Sequence, residues 1–277
     1  FSRVDVVFPV LHGPYGEDGT MQGMLELMRK PYVGCDVVSS AIGMDKVISK
    51  QLFTLAGIKT GPYRVTSKTA VREDLAKVVS DIENGLEYPI FVKPANMGSS
   101  VGITKAHDRM ELERALEFAG RYDKKILVEQ GIDCRELEVS VLGNDLVEAS
   151  CVGEIVPSHE FYDYEAKYLD GDNSKLMIPA PLDGAVADKI RCQAVDAFRA
   201  IGGSGMARVD FFMEKSSGEI LINEINTIPG FTRISMYPKL WEASGLDYNT
   251  LVDRLIELAL ERRKEKEAVI AHGFREK

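Results

Sequence analysis

Apolar residues along this chain switch between alternate spacing and three-to-four spacing, and the switches mark its elements. Val4-Asp5-Val6-Val7-Phe8-Pro9-Val10 is a β-branched apolar run that predicts a buried parallel strand. It ends in the glycine-rich turn His12-Gly13-Pro14-Tyr15-Gly16-Glu17-Asp18-Gly19, after which Met21, Leu25 and Met28 recur at helical spacing. Asp45 precedes a second helix with Val47, Ile48, Leu52, Phe53 and Leu55 on its apolar side and Gly57 as its stop. The pattern then predicts a helix over residues 72–83, the strand Ile90-Phe91-Val92-Lys93, a Gly/Ser-rich loop over 96–102 and a helix over 111–119. Strands follow at 125–129, 138–142 and 146–150, then a long helix over 185–201, a β-hairpin over 206–225 and a final helix from Asn249. Residues 157–175 are polar, aromatic and weakly periodic, and a loop of that length points to function or disorder. There is no repeat and no low-complexity linker, and the charge run over 261–267 reads as a solvated helix end.

The hairpin carries the sharpest chemical signal. Ala207-Arg208-Val209-Asp210-Phe211-Phe212 and Ile220-Leu221-Ile222-Asn223-Glu224-Ile225-Asn226 are strand-like runs joined by a polar turn ending in Gly218. Residues two apart on a strand share a face, so Arg208 with Asp210, and Glu224 with Asn226, form two polar pairs. Folding about Ser216 and Ser217 brings the pairs side by side, within about a residue of register. Two carboxylates roughly 4 Å apart repel by about 4 kcal/mol at an effective dielectric near 20, so the cluster calls for a cation. Hard oxygen donors without His or Cys suit Mg²⁺ bound together with phosphate; a surface salt bridge with Arg208 is the alternative.

Phosphate-facing candidates lie upstream. Lys93-Pro94-Ala95-Asn96-Met97-Gly98-Ser99-Ser100-Val101-Gly102 puts a lysine at a strand end before a loop of small residues, whose N–H and hydroxyl groups can reach phosphate oxygens. The spacing is not that of a P-loop, and a glycine-rich turn in an unrelated fold would look the same. Glu129-Gln130-Gly131-Ile132 follows a strand, as in a hinge whose backbone edge reads adenine, with Glu136 placed to hold ribose hydroxyls; a plain strand end is the competing reading. His12 is equally readable as a turn histidine, Pro229-Gly230 as an ordinary turn, and residues 162–168 as an amphipathic loop.

Composition narrows the class. The 277 residues are 45% hydrophobic and 28% charged, enough for a sizeable core and for two compact domains, or for one domain and parts of others. A formal charge of −9 argues against a nucleic-acid or anionic-membrane binder, although a nucleotide pocket needs only a few local cations. Cys35, Cys134, Cys151 and Cys192 form no C-x-x-C pair, which fits a reduced, cytoplasmic setting without structural zinc or disulfides. The pattern predicts neither a membrane span nor a signal peptide. Phe1 opens almost directly into an apolar run, as in a chain entered partway through a domain.

In combination these motifs resemble the D-alanine–D-alanine ligase family of the ATP-grasp superfamily. The resemblance runs over essentially the whole chain. It includes His12-Gly13 with Gly16-Glu17-Asp18-Gly19, Met44-Asp45-Lys46, Lys93 to Gly102, and Tyr164-Glu165-Ala166-Lys167-Tyr168. It continues through Arg208-x-Asp210, Asn223-Glu224-Ile225-Asn226-Thr227-x-Pro229-Gly230 and Ser235-Met236-Tyr237-Pro238. The implied fold is α/β (α+β), with two α+β subdomains sandwiching ATP and a remnant of a Rossmann-like N-terminal domain. The implied division is a substrate-domain remnant over 1–36, a central ATP-grasp subdomain over 37–132, and a C-terminal subdomain with the metal and substrate site over 133–277.

The resemblance also implies roles. Lys46, Lys93 and Lys167 are similar to phosphate-binding lysines, Ser99 lies in the glycine-rich loop, and Glu129, Ile132 and Glu136 match adenine and ribose contacts. Asp210, Glu224 and Asn226 match ligands of two Mg²⁺ (or Mn²⁺) ions; His12, Arg208, Gly230, Ser235 and Met236 match positions around two D-alanines. Arg208 with a backbone N–H near Gly230 would stabilise an oxyanion, and Tyr168 resembles the residue that closes a mobile loop over the site. The implied product is D-alanyl-D-alanine for peptidoglycan, made through an acyl phosphate by a cytoplasmic homodimer. Tyr168 and Met236 favour D-alanine as second substrate, since relatives using D-lactate rebuild the loop and those using D-serine often carry arginine at the position of Met236. The alternatives are a ligase taking D-serine or D-lactate, and an ATP-grasp binding module without turnover.

Overall fold

The structure, a computed structural model, describes residues 3–98, 100–156, 175–232 and 234–273. Two antiparallel sheets organise it. The first contains β1 (Tyr63–Ser67), β2 (Ile90–Pro94), β3 (Thr104–Ala106) and β4 (Lys125–Gln130) in the order β1-β4-β2-β3. The second contains β5 (Cys134–Gly143), β6 (Glu148–Val156), β7 (Lys175–Met177), β8 (Gly205–Glu214) and β9 (Ile220–Asn226) in the order β7-β6-β5-β8-β9.

Each sheet buries one face under helices. Ile90, Val92, Ile126 and Val128 of the first sheet pack with α4 (Lys68–Glu73), α5 (Leu75–Glu83) and α6 (Arg109–Ala119). Leu137, Val139, Val209 and Phe211 of the second pack on Ile190, Ala194 and Phe198 of α7 (Gly184–Ala200), joined by Phe53 of α3 (Lys46–Leu55). Burial of such apolar faces is the main favourable term in folding, about 25 cal/mol per Å². Strand alternation leaves Arg208 and Asp210, the neighbours of Val209, on the opposite face from that core.

Several expectations are corrected here. Residues 4–10 do not form a buried strand: Val7 makes one parallel bridge to Tyr32, and Val4 and Val10 are 40% and 50% exposed. Among the described residues the segment has that one bridge and a place in neither sheet, while Val6 and Phe8 pack part-buried against the cluster of Tyr237, Trp241 and Leu255. The helix predicted over 72–83 is two, because Asp74 leaves helical geometry at φ −152° and its carboxylate accepts the Lys77 N–H to start α5. Two helices escape the pattern: α2 (Val37–Met44), started by a reciprocal cap between Asp36 and Ser39, and α8 (Met236–Ala243), which carries Pro238 in its first turn, where no N–H is needed. The last helix is α9 (Tyr248–Gly273), and the predicted first helix is α1 (Thr20–Leu27).

The face of α3 also differs. Ile48 and Leu55 are 39% and 84% exposed, whereas Ser49 and Lys50 are buried with Val47 and Phe53. The helix starts where predicted, with Asp45 accepting from the Val47 and Ile48 N–H groups, and Gly57 follows it at φ 78°. It is rotated so that two lysines one turn apart, Lys46 and Lys50, point to acidic partners on the two sheets.

Candidate active site

The hairpin register places the four polar residues directly opposite one another: Arg208 faces Asn226 and Asp210 faces Glu224. A bulge follows at once, since Phe211 pairs with Ile222 and one residue of β9 is left over. The bulge therefore sits just beyond the polar pairs and leaves their alignment intact.

Arg208 holds Asp210 by a bidentate fork, Nε to Oδ1 and Nη2 to Oδ2, both at 2.7 Å. Asn226 Nδ2 donates to Asp210 Oδ2 at 2.9 Å. A third carboxylate completes the row. Glu138 lies opposite Asp210 on β5, with Oε2 3.1 Å from Arg208 Nε. Burial opposes the charge on Arg208, but Asp210 and Glu138 outweigh it and hold the guanidinium protonated at every working pH. The salt bridge weighed as an alternative exists, yet it is not a surface pair: the side chains are 21% and 13% exposed.

Asp210, Glu224 and Asn226 thus present hard oxygen donors on one face of adjacent strands. The chemistry of that set fits Mg²⁺, with Arg208 and Lys46 among the side-chain cations beside the two carboxylates. Among the described residues no three His, Cys, Asp or Glu side chains gather closely enough to cage a metal alone. An ion here would draw its remaining oxygens from elsewhere, as Mg²⁺ does from phosphate.

Above the row lies a chain of lysines and carboxylates. Lys46 Nζ is 3.4 Å from Glu224 Oε2 and donates to the Met97 carbonyl at 2.9 Å. Lys93 Nζ meets Glu129 Oε2 at 2.6 Å, and Lys50 Nζ meets Glu129 Oε1 at 2.7 Å. Burial alone would push the Glu129 carboxyl up; Lys50 and Lys93 overcome it and hold it at about 2. Lys93 is likewise disfavoured by burial, and Glu129 reverses this and raises it.

A carboxyl held this far below its usual 4.5 contributes stability that is complete above the unfolded value and lost as pH falls towards the folded one. Glu129→Gln is therefore expected to flatten the acid limb of the stability curve between about pH 4.5 and 2. The pH-dependent difference is on the order of 3 kcal/mol. Urea melts at neutral and acid pH measure it, and parallel slopes for both proteins would refute it.

The strand before the expected hinge runs one residue further than expected. Glu129 and Gln130 do not follow a strand but lie inside β4, with Glu129 paired to Tyr63 of β1 and to Phe91 of β2. Gly131 N–H also donates inward, to the Pro89 carbonyl at 2.7 Å. The Gln130 N–H is likewise used, donating to the Pro62 carbonyl at 3.1 Å. Ile132 stands against Gly61, where a Cβ would lie 3.0 Å from its Cδ1, and Glu136 is half-buried on β5.

A loop cluster borders the same row. His12 Nδ1 is 3.0 Å from the Ile228 carbonyl, and Glu17 accepts the Gly13 N–H at 2.6 Å and the Ile228 N–H at 3.2 Å. Burial raises the Glu17 carboxyl, with those backbone donors opposing. A Cβ on Gly98 would lie 3.1 Å from Gly13 Cα, so the Gly/Ser-rich loop touches this turn. Ser235 Oγ accepts the Thr232 N–H at 3.0 Å and borders Gly230, where a Cβ would stand 2.8 Å from it. Met236 is 6% exposed beside Ile155 and Leu240.

The structure thus gathers Lys46, Lys93, Glu129, Arg208, Asp210, Glu224 and Asn226 around the junction of the sheets, with His12 on the Ile228 carbonyl two residues past Asn226 and Gly230 against Ser235 further along that loop. Ser99, Lys167 and Tyr168, with residues 157–174 of the loop expected over 157–175, lie outside the described residues, and Lys175 starts β7. Sequence reasoning overlooked Lys50 and Glu138. The first had a usable signal, its four-residue spacing from Lys46. The second had none, since its partner is brought by strand order alone.

Comparison with known proteins places this arrangement. The family described as D-ala D-ala ligase C-terminus matches residues 52–257, and D-ala D-ala ligase N-terminus matches residues 1–35. The chain is 58% identical over 266 residues to a D-alanine–D-alanine ligase of Thermoanaerobacter sp. (strain X514), covering 96% of this chain and 74% of that one. A D-alanine–D-alanine ligase of Bacillus velezensis is 53% identical over 273 residues, covering 99% and 76%. Among solved structures, the D-alanine–D-alanine ligase of Coxiella burnetii superposes with a TM-score of 0.82 at 40% identity, covering 97% of this chain and 71% of that one. The VanG D-Ala:D-Ser ligase of Enterococcus faecalis gives 0.83 at 43% identity, covering 92% and 73%.

Proposed function

From the premise that the chain belongs to the D-alanine–D-alanine ligase family, we propose how its residues carry the ligation. The protein is an ATP-dependent ligase of the ATP-grasp fold that joins two D-alanines into D-alanyl-D-alanine. The observation that carries the assignment of roles is the direct register of Arg208 with Asn226 and of Asp210 with Glu224 beneath the lysine chain.

The carboxylate of the first D-alanine attacks the γ-phosphate of ATP and forms an acyl phosphate with loss of ADP. The amine of the second then attacks the acyl carbon, and phosphate leaves. Lys46 and Lys93, with Lys167 and with Ser99 of the Gly/Ser-rich loop, hold the phosphates, and Glu129, Ile132 and Glu136 contact adenine and ribose. Asp210, Glu224 and Asn226 hold two Mg²⁺ (or Mn²⁺) ions, which when bound neutralise the phosphates and act as Lewis acids. Arg208 and a backbone N–H near Gly230 face the oxyanion of the tetrahedral intermediate, where fixed donors act at no reorganisation cost. His12, Ser235 and Met236 border the amino acids, and Tyr168 closes the loop that keeps water from the acyl phosphate. The cellular setting is the cytoplasm, the product serves peptidoglycan, and the active form is a homodimer.

D-serine as second substrate is the competing reading, since VanG, a D-Ala:D-Ser ligase, is among the similar structures. The apolar, buried Met236 supports D-alanine, because a serine hydroxyl gains no partner from it. Phosphate release from Mg·ATP is expected with D-alanine alone, yielding the dipeptide, and not with L-alanine. ATP binding without turnover on D-alanine, or turnover only when D-serine or D-lactate is added, would overturn the assignment.

A further inference from the structure

Lys50 has no part in the reaction just described, yet it is the most buried charged side chain among the described lysines that reach the site. Its side chain is 2% exposed, against 11% for Lys46 and 13% for Lys93. Burying an ammonium group costs several kcal/mol unless it is paired and hydrogen-bonded. Lys50 meets that demand from both sheets at once: it pairs with Glu129 of β4 at 2.7 Å and donates to the Asn223 carbonyl of β9 at 3.3 Å.

The charge count gives the contact a purpose. Glu129 has one negative charge and two lysines on it, one on each oxygen. Without Lys50, Glu129 would cancel Lys93 and the group would be neutral. With Lys50 the group keeps a net charge of about +1 in a buried setting, where screening by water and salt is weak. We propose that Lys50 is a positioning residue: it absorbs the charge of Glu129 so that Lys93 stays available to the nucleotide's phosphates, and it ties that cation to the second sheet at Asn223. This rests on the nucleotide-binding role given to Lys93 above. Asn223 is adjacent to Glu224, so the tie also sets β9 beside the lysine chain.

The test is binding, measured by calorimetry without amino acids and with two probes, Mg·ATP and adenosine. Lys50→Met is expected to weaken Mg·ATP on the order of tenfold or more and to leave adenosine nearly unchanged, because only phosphates sense the lost charge. Lys50→Met combined with Glu129→Gln restores the net charge of the group, so Mg·ATP affinity should recover relative to the single variant. If Lys50→Met does not fold, the double variant is compared with the parent, whose net charge at this group it shares, and the two should bind Mg·ATP within about threefold of each other. Equal weakening of both probes, a double variant that binds Mg·ATP no better than Lys50→Met or well below the parent, or Lys50→Met binding Mg·ATP as the parent does would each overturn the proposal. Failure of the parent protein itself to bind Mg·ATP would instead remove the nucleotide reading on which the proposal stands.

Discussion

Asp210→Ala and Glu224→Ala are each expected to lower kcat for dipeptide formation by about a thousandfold or more. Lewis-acid stabilisation by a bound metal supplies several kcal/mol of the barrier reduction, and each 1.36 kcal/mol is about tenfold. The two carboxylates share the site unequally. Asp210 is clasped by Arg208 through two 2.7 Å bonds, so its removal also strips the guanidinium of its bidentate partner and leaves it to Glu138 at 3.1 Å. Glu224 faces Lys46 at 3.4 Å, a looser contact. Asp210→Ala should therefore lose stability as well as activity, and Glu224→Ala mainly activity. A coupled ADP-release assay with thermal melts measures both. A variant keeping more than about a tenth of the parent rate would argue that these groups hold no metal.

Arg208→Lys is expected to give the second-largest effect, a fall in kcat of about a hundred- to a thousandfold with little change in KM for ATP. Lysine keeps the charge but not the planar fork, so it cannot hold Asp210 through both oxygens while facing an oxyanion. The nearby carboxylates keep the arginine charged throughout, so its loss should lower the pH–rate profile without moving its inflections. A shifted inflection, or a loss confined to KM for ATP, would place Arg208 in ground-state binding instead.

What could be read in advance follows from the range of the interaction. Strand periodicity placed Arg208 with Asp210 and Glu224 with Asn226 on shared faces, because side-chain direction on a strand is set by the backbone two residues at a time. Asp45 as a helix start and Gly57 as its stop were equally local, each satisfying backbone groups within one turn. Short-range competition was less legible. Asp74 splits one predicted helix into two, and Asp36 with Ser39 starts a helix of low amphipathic contrast, since its sequence VVSSAIGM carries serines on its buried side.

Non-local pairing decided the rest. Residues 4–10 look like a buried strand, but a strand needs partners to pair with, and among the described residues Tyr32 alone supplies a bridge. Glu138 joins Arg208 solely because β5 lies next to β8, and Lys50 is buried solely because β4 brings Glu129 to it. The sequence by itself determined which residues share a face and where most elements begin, since those depend on dihedral preferences within a few residues. Only the tertiary structure decided which charges meet. An ion pair's strength depends on distance and burial, and strand order and helix rotation set both for Lys50, Glu129 and Glu138.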